Sequence, residues 1–136
     1  MKKGRLLVID DEKDFVDTLT VRLGALRYQV IEAYNGEDGL RLAREEKPDL
    51  IILDIAMPGM DGFMVLEKLK VDEGLKSIPV IMLSAKFQPN DLDFAKNLGA
   101  DAYLTKPVDF KALSEQIERL IPRRRMPARA KKEVRR

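Results

Sequence analysis

The sequence predicts a three-layer α/β sandwich with a parallel sheet at its centre, and two observations carry that prediction. Five short apolar runs, at 5–9, 28–32, 49–53, 78–83 and 102–105, alternate strictly with segments whose apolar residues recur at helical spacing. Strands joined by crossover helices read this way. The first, third and fourth runs are almost entirely Val, Ile, Leu and Met, as strands buried on both faces require. The second is only weakly apolar, which places it at a sheet edge.

Each helix has its own signature. Phe15, Leu19, Leu23 and Leu26 fall on one face of a first helix, from about 13 to 26. Glu37 to Glu46 form a second, with Gly39 a mild penalty inside it and Pro48 beyond its end. Asp61 is placed to cap a third, in which Phe63, Leu66 and Leu69 share a face. Asn90 or Asp91 starts a short fourth helix, and Gly99 suits its end. Asp109 caps a fifth, whose stripe is Phe110, Leu113, Ile117 and Leu120, and Pro122 is expected to stop it. On this reading all seven prolines lie in connections or at element ends. Right-handed crossovers leave one open mouth at the C-terminal ends of the strands, where ligands of open α/β sheets bind.

Composition narrows the chemistry. At 136 residues the chain has the length of one domain, and 45% hydrophobic residues argue against disorder. Cysteine is absent, which excludes disulfides, thiol nucleophiles and thiolate metal sites. Histidine is absent too, removing the commonest general base and the usual zinc ligand. A bound metal must then take oxygen ligands, which favours magnesium, calcium or manganese. The apolar stretch of MKKGRLLVIDD is too short for a signal-peptide core, and nothing approaches a membrane span; the expected compartment is the cytoplasm. The net charge of +2 hides a split, because residues 123–136 carry eight Lys/Arg and one Glu and leave −5 for residues 1–122.

Five polar groups stand at the ends of the apolar runs: Asp10-Asp11 after RLLVI, Asp54 after LIIL, Ser84 after IPVIML and Lys106 after AYLT. Each alone has an ordinary reading, as a helix-dipole acid, a turn residue, a satisfied hydroxyl or a solvated charge. Together they converge on the mouth of the predicted sheet. Three carboxylates about 4 Å apart repel by on the order of 4 kcal/mol per pair at an effective dielectric near 20. A divalent cation relieves this, and Mg²⁺ suits because it keeps water and phosphate oxygens in its remaining positions. Ser84 and Lys106 supply an anion-binding side, and an X-Pro bond at Lys106-Pro107 can be cis and fix the lysine's direction. Asp54 precedes IAMPGMDG, a loop with Pro-Gly and Asp-Gly turn signals. Presented there, it can attack phosphorus and form an acyl phosphate.

The set VIDDE (8–12), LDIAMPGMDG (53–62), PVIMLSA (79–85) and GADAYLTKP (99–107) resembles the receiver domain of two-component response regulators, in that family's order and spacing. The resemblance covers residues 5–121. It implies a flavodoxin-like sandwich with strand order 2-1-3-4-5 and five helices. It implies a signalling switch and not an enzyme, whose catalysis is confined to its own phosphorylation and dephosphorylation. Asp54 matches the phosphoacceptor, loaded from a histidine on a sensor kinase or phosphotransfer protein. Asp11, Asp54 and the backbone carbonyl of Ala56 would ligate Mg²⁺, with Asp10 acting mainly through water. Lys106 would hold a phosphoryl oxygen, and the Lys106-Pro107 bond would be cis. Ser84 would swing to the phosphoryl group, and Tyr103 matches the aromatic switch that fills the vacated space. Ala56 and Lys86 stand at positions that vary in the family, and Lys86 is expected to lengthen the life of the acyl phosphate.

The resemblance also implies output through the fourth helix, fifth strand and fifth helix, with phosphorylation-dependent dimerisation one form of it. Phe87 and Phe94 are candidate anchors there, although core or loop packing is the simpler reading. The domain is expected to span 1–121, with 122–136 a basic tail or linker stub that could touch nucleic acid or the acidic body. Two other readings compete. A haloacid-dehalogenase-type phosphatase has its nucleophile after the first strand with a second Asp two positions on; here that position holds Glu12. A phosphate-independent interaction module on the same fold would have lost an acid or the lysine, and none is lost.

Overall fold

The structure, a computed structural model, describes residues 3–85 and 88–125, the last four by their backbone alone. The expectations for Lys86, Phe87 and the basic tail beyond Arg125 lie outside the described residues. Five strands and five helices alternate: β1 (Gly4–Ile9), α1 (Lys13–Ala25), β2 (Tyr28–Ala33), α2 (Gly36–Glu46), β3 (Leu50–Asp54), α3 (Gly62–Val71), β4 (Val80–Ser84), α4 (Pro89–Leu98), β5 (Ala102–Thr105) and α5 (Phe110–Arg125). All strand pairs are parallel and the order is β2-β1-β3-β4-β5. The weakly apolar second run is an edge strand, as its composition predicts.

Alternation along the strands sorts the core into two halves. Leu7, Ile9, Ile51, Leu53, Val80 and Met82 face α2, α3 and α4, packing on Leu40, Ala43, Val65, Leu66, Leu69 and Ala95. Leu6, Val8, Leu50, Ile52, Ile81 and Leu83 face the other way, onto Val16, Leu19 and Leu23 of α1 and Leu113, Ile117 and Leu120 of α5. This is why the central runs are apolar at nearly every position. Phe94 is half exposed, yet its ring meets Phe63 edge-on at 4.9 Å, so it packs between α3 and α4 while keeping one side open.

Three expectations need correction. The apolar runs 49–53 and 78–83 pair one to two residues later than their composition marks, so Asp54 and Ser84 are the last residues of β3 and β4. Pro79 has no N–H to give a ladder, and β4 starts only after it, with Val80 N–H bonded to Asp101 Oδ2. Helix α4 is capped by Gln88 instead of Asn90 or Asp91. Asp91 serves as the other half of a capping box and accepts from the Gln88 N–H at 3.0 Å. Finally, α5 does not stop at Pro122 but continues to Arg125. A proline there removes only the bond to the Glu118 carbonyl; Glu118 is exposed, so water can take that bond, and buried Leu120 and Ile121 hold the helix down.

Two caps are where the sequence places them. Asp109 Oδ1 accepts from the N–H groups of Lys111 and Ala112, and Asp61 Oδ1 accepts from Met64 N–H at 3.0 Å. Asp61→Ala is expected to lower stability by about 1 kcal/mol, read from a shifted urea midpoint with an unchanged slope. Among the described residues, no helix is long and apolar enough to cross a membrane.

Candidate functional site

The site is hung from backbone bonds that continue one step past the strand ends. Asp10 N–H donates to the Ala33 carbonyl at 3.0 Å, Ile55 N–H to Leu83 at 2.9 Å and Lys106 N–H to Ser84 at 2.8 Å. Counting by twos from Val8, Ile52 and Leu104 puts Asp10, Asp54 and Lys106 on the α1–α5 side of the sheet. The loop after β3 folds back on the end of that strand, with Gly62 N–H bonded to the Ile55 carbonyl at 2.8 Å. A Cβ on Gly62 would stand 2.3 Å from the Asp54 carbonyl oxygen, so only glycine fits.

The side chains converge. Oxygens of Asp10, Asp11 and Asp54 lie within 4.8 Å of one another; Asp10 and Asp54 are buried and Asp11 is exposed. The Lys106 ammonium lies 2.8 Å from Asp10 Oδ2, 2.6 Å from Glu12 Oε1 and 3.4 Å from Asp54 Oδ1. It also sits 4.5 Å above the centre of the Phe15 ring. Asp10 Oδ1 accepts from the Glu12 N–H at 2.9 Å. The Lys106-Pro107 bond is cis.

Burial dominates the electrostatics. It pushes the Asp54 carboxyl up to about 6, with Asp10 and Asp11 adding repulsion and Lys106 opposing the rise. Asp10 is raised as well, chiefly by burial, against the pull of Lys106 and the Glu12 N–H. Burial works to lower Lys106, but its bonds to Asp10 and Glu12 outweigh it and hold the ammonium firmly charged. Three carboxylates at this spacing repel by roughly 3–4 kcal/mol per pair at an effective dielectric near 20, and one ammonium offsets only part of it. The donor set is oxygen-only, and exposed Asp11 keeps one side open to water. That fits a divalent ion of the magnesium kind.

Of the residues picked from sequence, Asp10, Asp11, Asp54 and Lys106 are brought into direct proximity. Ser84 ends the neighbouring strand, paired in register with Thr105, and is buried. Tyr103 lies in β5 and packs on the α2–α4 half of the core, its hydroxyl raised by burial and then by Asp101 and Asp93. Ala56 is exposed on the loop after β3. Two contacts were not foreseen: the Glu12 carboxylate on Lys106, and the Phe15 ring beneath that same ammonium. Phe15 shows in the sequence as a core residue of α1, and Glu12 as one more acid near a helix start.

This fold and this cluster define a class of protein, the phospho-accepting receivers, and comparison with known proteins agrees. The model of the response regulator receiver domain matches residues 6–118, and the chain belongs to that family. It is 42% identical over 118 residues to protein PilH of Pseudomonas aeruginosa, covering 87% of this chain and 98% of that one. It is 36% identical to the alkaline phosphatase synthesis transcriptional regulatory protein PhoP of Bacillus subtilis, covering 91% of this chain and 51% of that one. The chain thus spans nearly all of PilH but about half of PhoP. Among solved structures, chemotaxis protein CheY4 of Vibrio cholerae superposes with a TM-score of 0.82 at 27% identity, covering 86% of this chain and 98% of that one. The receiver domain of a histidine kinase from Syntrophus aciditrophicus gives a TM-score of 0.83 at 32% identity, covering 92% and 96%. Members of the family are signalling switches that act with sensor histidine kinases or phosphotransfer proteins.

Proposed function

We propose that Asp54 is the phosphoacceptor of this receiver and that Asp10, Asp11 and Lys106 form the machinery around it. The observation that supports this most is the three carboxylates gathered within 4.8 Å beside the Lys106 ammonium. Asp54 Oδ attacks phosphorus of a phosphohistidine donor; an O–P bond forms as the N–P bond breaks, and the imidazole leaves with the electron pair. Phosphoryl transfer needs in-line placement and charge neutralisation more than covalent help. Lys106 neutralises one phosphoryl oxygen. Asp11, Asp54 and the Ala56 carbonyl would hold Mg²⁺, with Asp10 one step behind through water. When bound, the ion supplies charge neutralisation for the carboxylates and the phosphoryl oxygens.

Ser84 and Tyr103 are the switch pair on this reading: Ser84 bonds to the arriving phosphoryl group and Tyr103 moves into the space that opens. Output runs through the α4–β5–α5 face, with dimerisation of the phosphorylated form one outcome; Leu92 and Phe94 of α4 are exposed, Phe94 on the side that meets Phe63 of α3. The tail's contact with nucleic acid rests on its charge alone, and the cytoplasm is the compartment in which a kinase's phosphohistidine would reach the site.

Incubation with acetyl phosphate and Mg²⁺, followed by intact-mass measurement, is expected to add one phosphoryl group, and Asp54→Asn to add none. Borohydride trapping and peptide mapping should place the modification at Asp54. Label at Asp10 would favour the phosphatase reading, and no label at all the phosphate-independent module.

A further inference from the structure

We infer that Glu12 is a positioning residue that holds Lys106 in the unphosphorylated protein and yields it to the incoming phosphoryl group. This rests on the reading of Asp54 as the acceptor.

The ammonium of Lys106 is fully occupied. Asp10, Glu12 and Asp54 surround it at 2.8, 2.6 and 3.4 Å, and the Phe15 ring closes another side. To grip a phosphoryl oxygen it must give up a partner, and the three carboxylates are not equally able to leave. The Asp10 side chain is 1% exposed, so losing the ammonium would strand a buried charge. Asp54 carries the phosphoryl group itself. The Glu12 side chain is 63% exposed and can return to water with little penalty, since exposed ion pairs are weak. It makes the shortest of the three contacts and is the one free to let go.

A second observation points the same way. Glu12 occupies the N-cap of α1, yet its side chain makes no capping bond. Ser, Thr, Asp or Asn would serve a helix start better. The Glu12 carboxylate bypasses the open N–H groups of its own helix and reaches a lysine 94 residues away, while its backbone N–H fixes Asp10. The position is filled in favour of the lysine and not the helix.

The test is a titration with beryllofluoride, a phosphoryl mimic, in saturating Mg²⁺, followed by amide chemical shifts. Glu12→Gln is expected to tighten apparent binding by about 1.5-fold to fivefold, the span an exposed ion pair contributes. In acetyl phosphate labelling, the same variant should lower the half-saturating concentration and leave the maximal rate within about twofold. The decisive arm places Glu12→Gln in a Lys106→Ala background. If Glu12 acts through Lys106, the gain disappears there; if it merely repels anions, the gain persists and the inference is overturned. Unchanged or weaker binding by Glu12→Gln, with native thermal unfolding, overturns it as well. Failure of the unsubstituted protein to bind beryllofluoride would instead defeat the acceptor reading beneath it.

Discussion

Asp54→Asn is expected to unfold roughly 5–10 °C higher than the unsubstituted protein at pH 7 without divalent cations, because a buried carboxylate crowded by other acids is a burden on the fold. Its carboxyl titrates at about 6 in the folded protein, against about 3.9 for an unperturbed aspartate, a difference worth on the order of 3 kcal/mol. The sign follows from which state holds the proton. The folded state binds it more readily, so this group's stabilising protonation is complete below about pH 4 and is lost as pH rises through 6. Asparagine carries no charge at any of these values. The advantage of the variant should therefore be largest at pH 7, shrink through 6 and 5, and vanish near 4. Thermal unfolding of both proteins at those four values is the measurement. Equal midpoints at pH 7, or an advantage that stays constant to pH 4, would contradict the account. Added Mg²⁺ should raise the unsubstituted protein more than the variant, narrowing the gap from the other side.

Gly62→Ala should move stability in the opposite direction and take the site with it. The added Cβ would lie 2.3 Å from the Asp54 carbonyl oxygen and 2.6 Å from the Ile55 Cα. Both are backbone atoms at the end of β3 and in the residue after it, so no side-chain rotation relieves the clash. Either the start of α3 moves out or the end of β3 moves in. A loss of about 2–4 kcal/mol is expected, measured by urea denaturation, together with slower labelling at saturating acetyl phosphate as Asp54 shifts. Gly24→Ala is the matched control: it lies within α1 with nothing within 4 Å of the new atom, so a gain of up to about 1 kcal/mol is expected. If both variants behave alike, close approach at Gly62 is not what demands glycine.

How much of this was legible in the chain depends on whether the signal was local. The five strands, the edge position of β2 and the caps at Asp61 and Asp109 follow from runs and spacings a few residues long. The gathering of Asp10, Asp11, Asp54 and Lys106 follows from topology, because each stands at the end of a parallel strand. The Gln88 cap was less legible, since Asn and Asp are the stronger capping residues and two of them stand close by. Pro122 misled because its missing N–H was weighed without the burial of Leu120 and Ile121, which only the folded sheet provides. The Glu12–Lys106 contact could not be read at all. Nothing in the composition around an acid at a helix start tells whether it turns toward its own helix or toward a strand 94 residues on.

The backbone bonds that run one step past the strand ends have a wider consequence. They tie the backbone at Asp10, Asp54 and Lys106 to the hydrogen-bonded sheet, whereas the described loops and helices that follow are not strands of it. Those segments can be rewritten to suit a different upstream donor or downstream listener without dismantling the proposed acceptor centre. One scaffold can thus be re-addressed many times, keeping a common chemistry while the conversation around it changes.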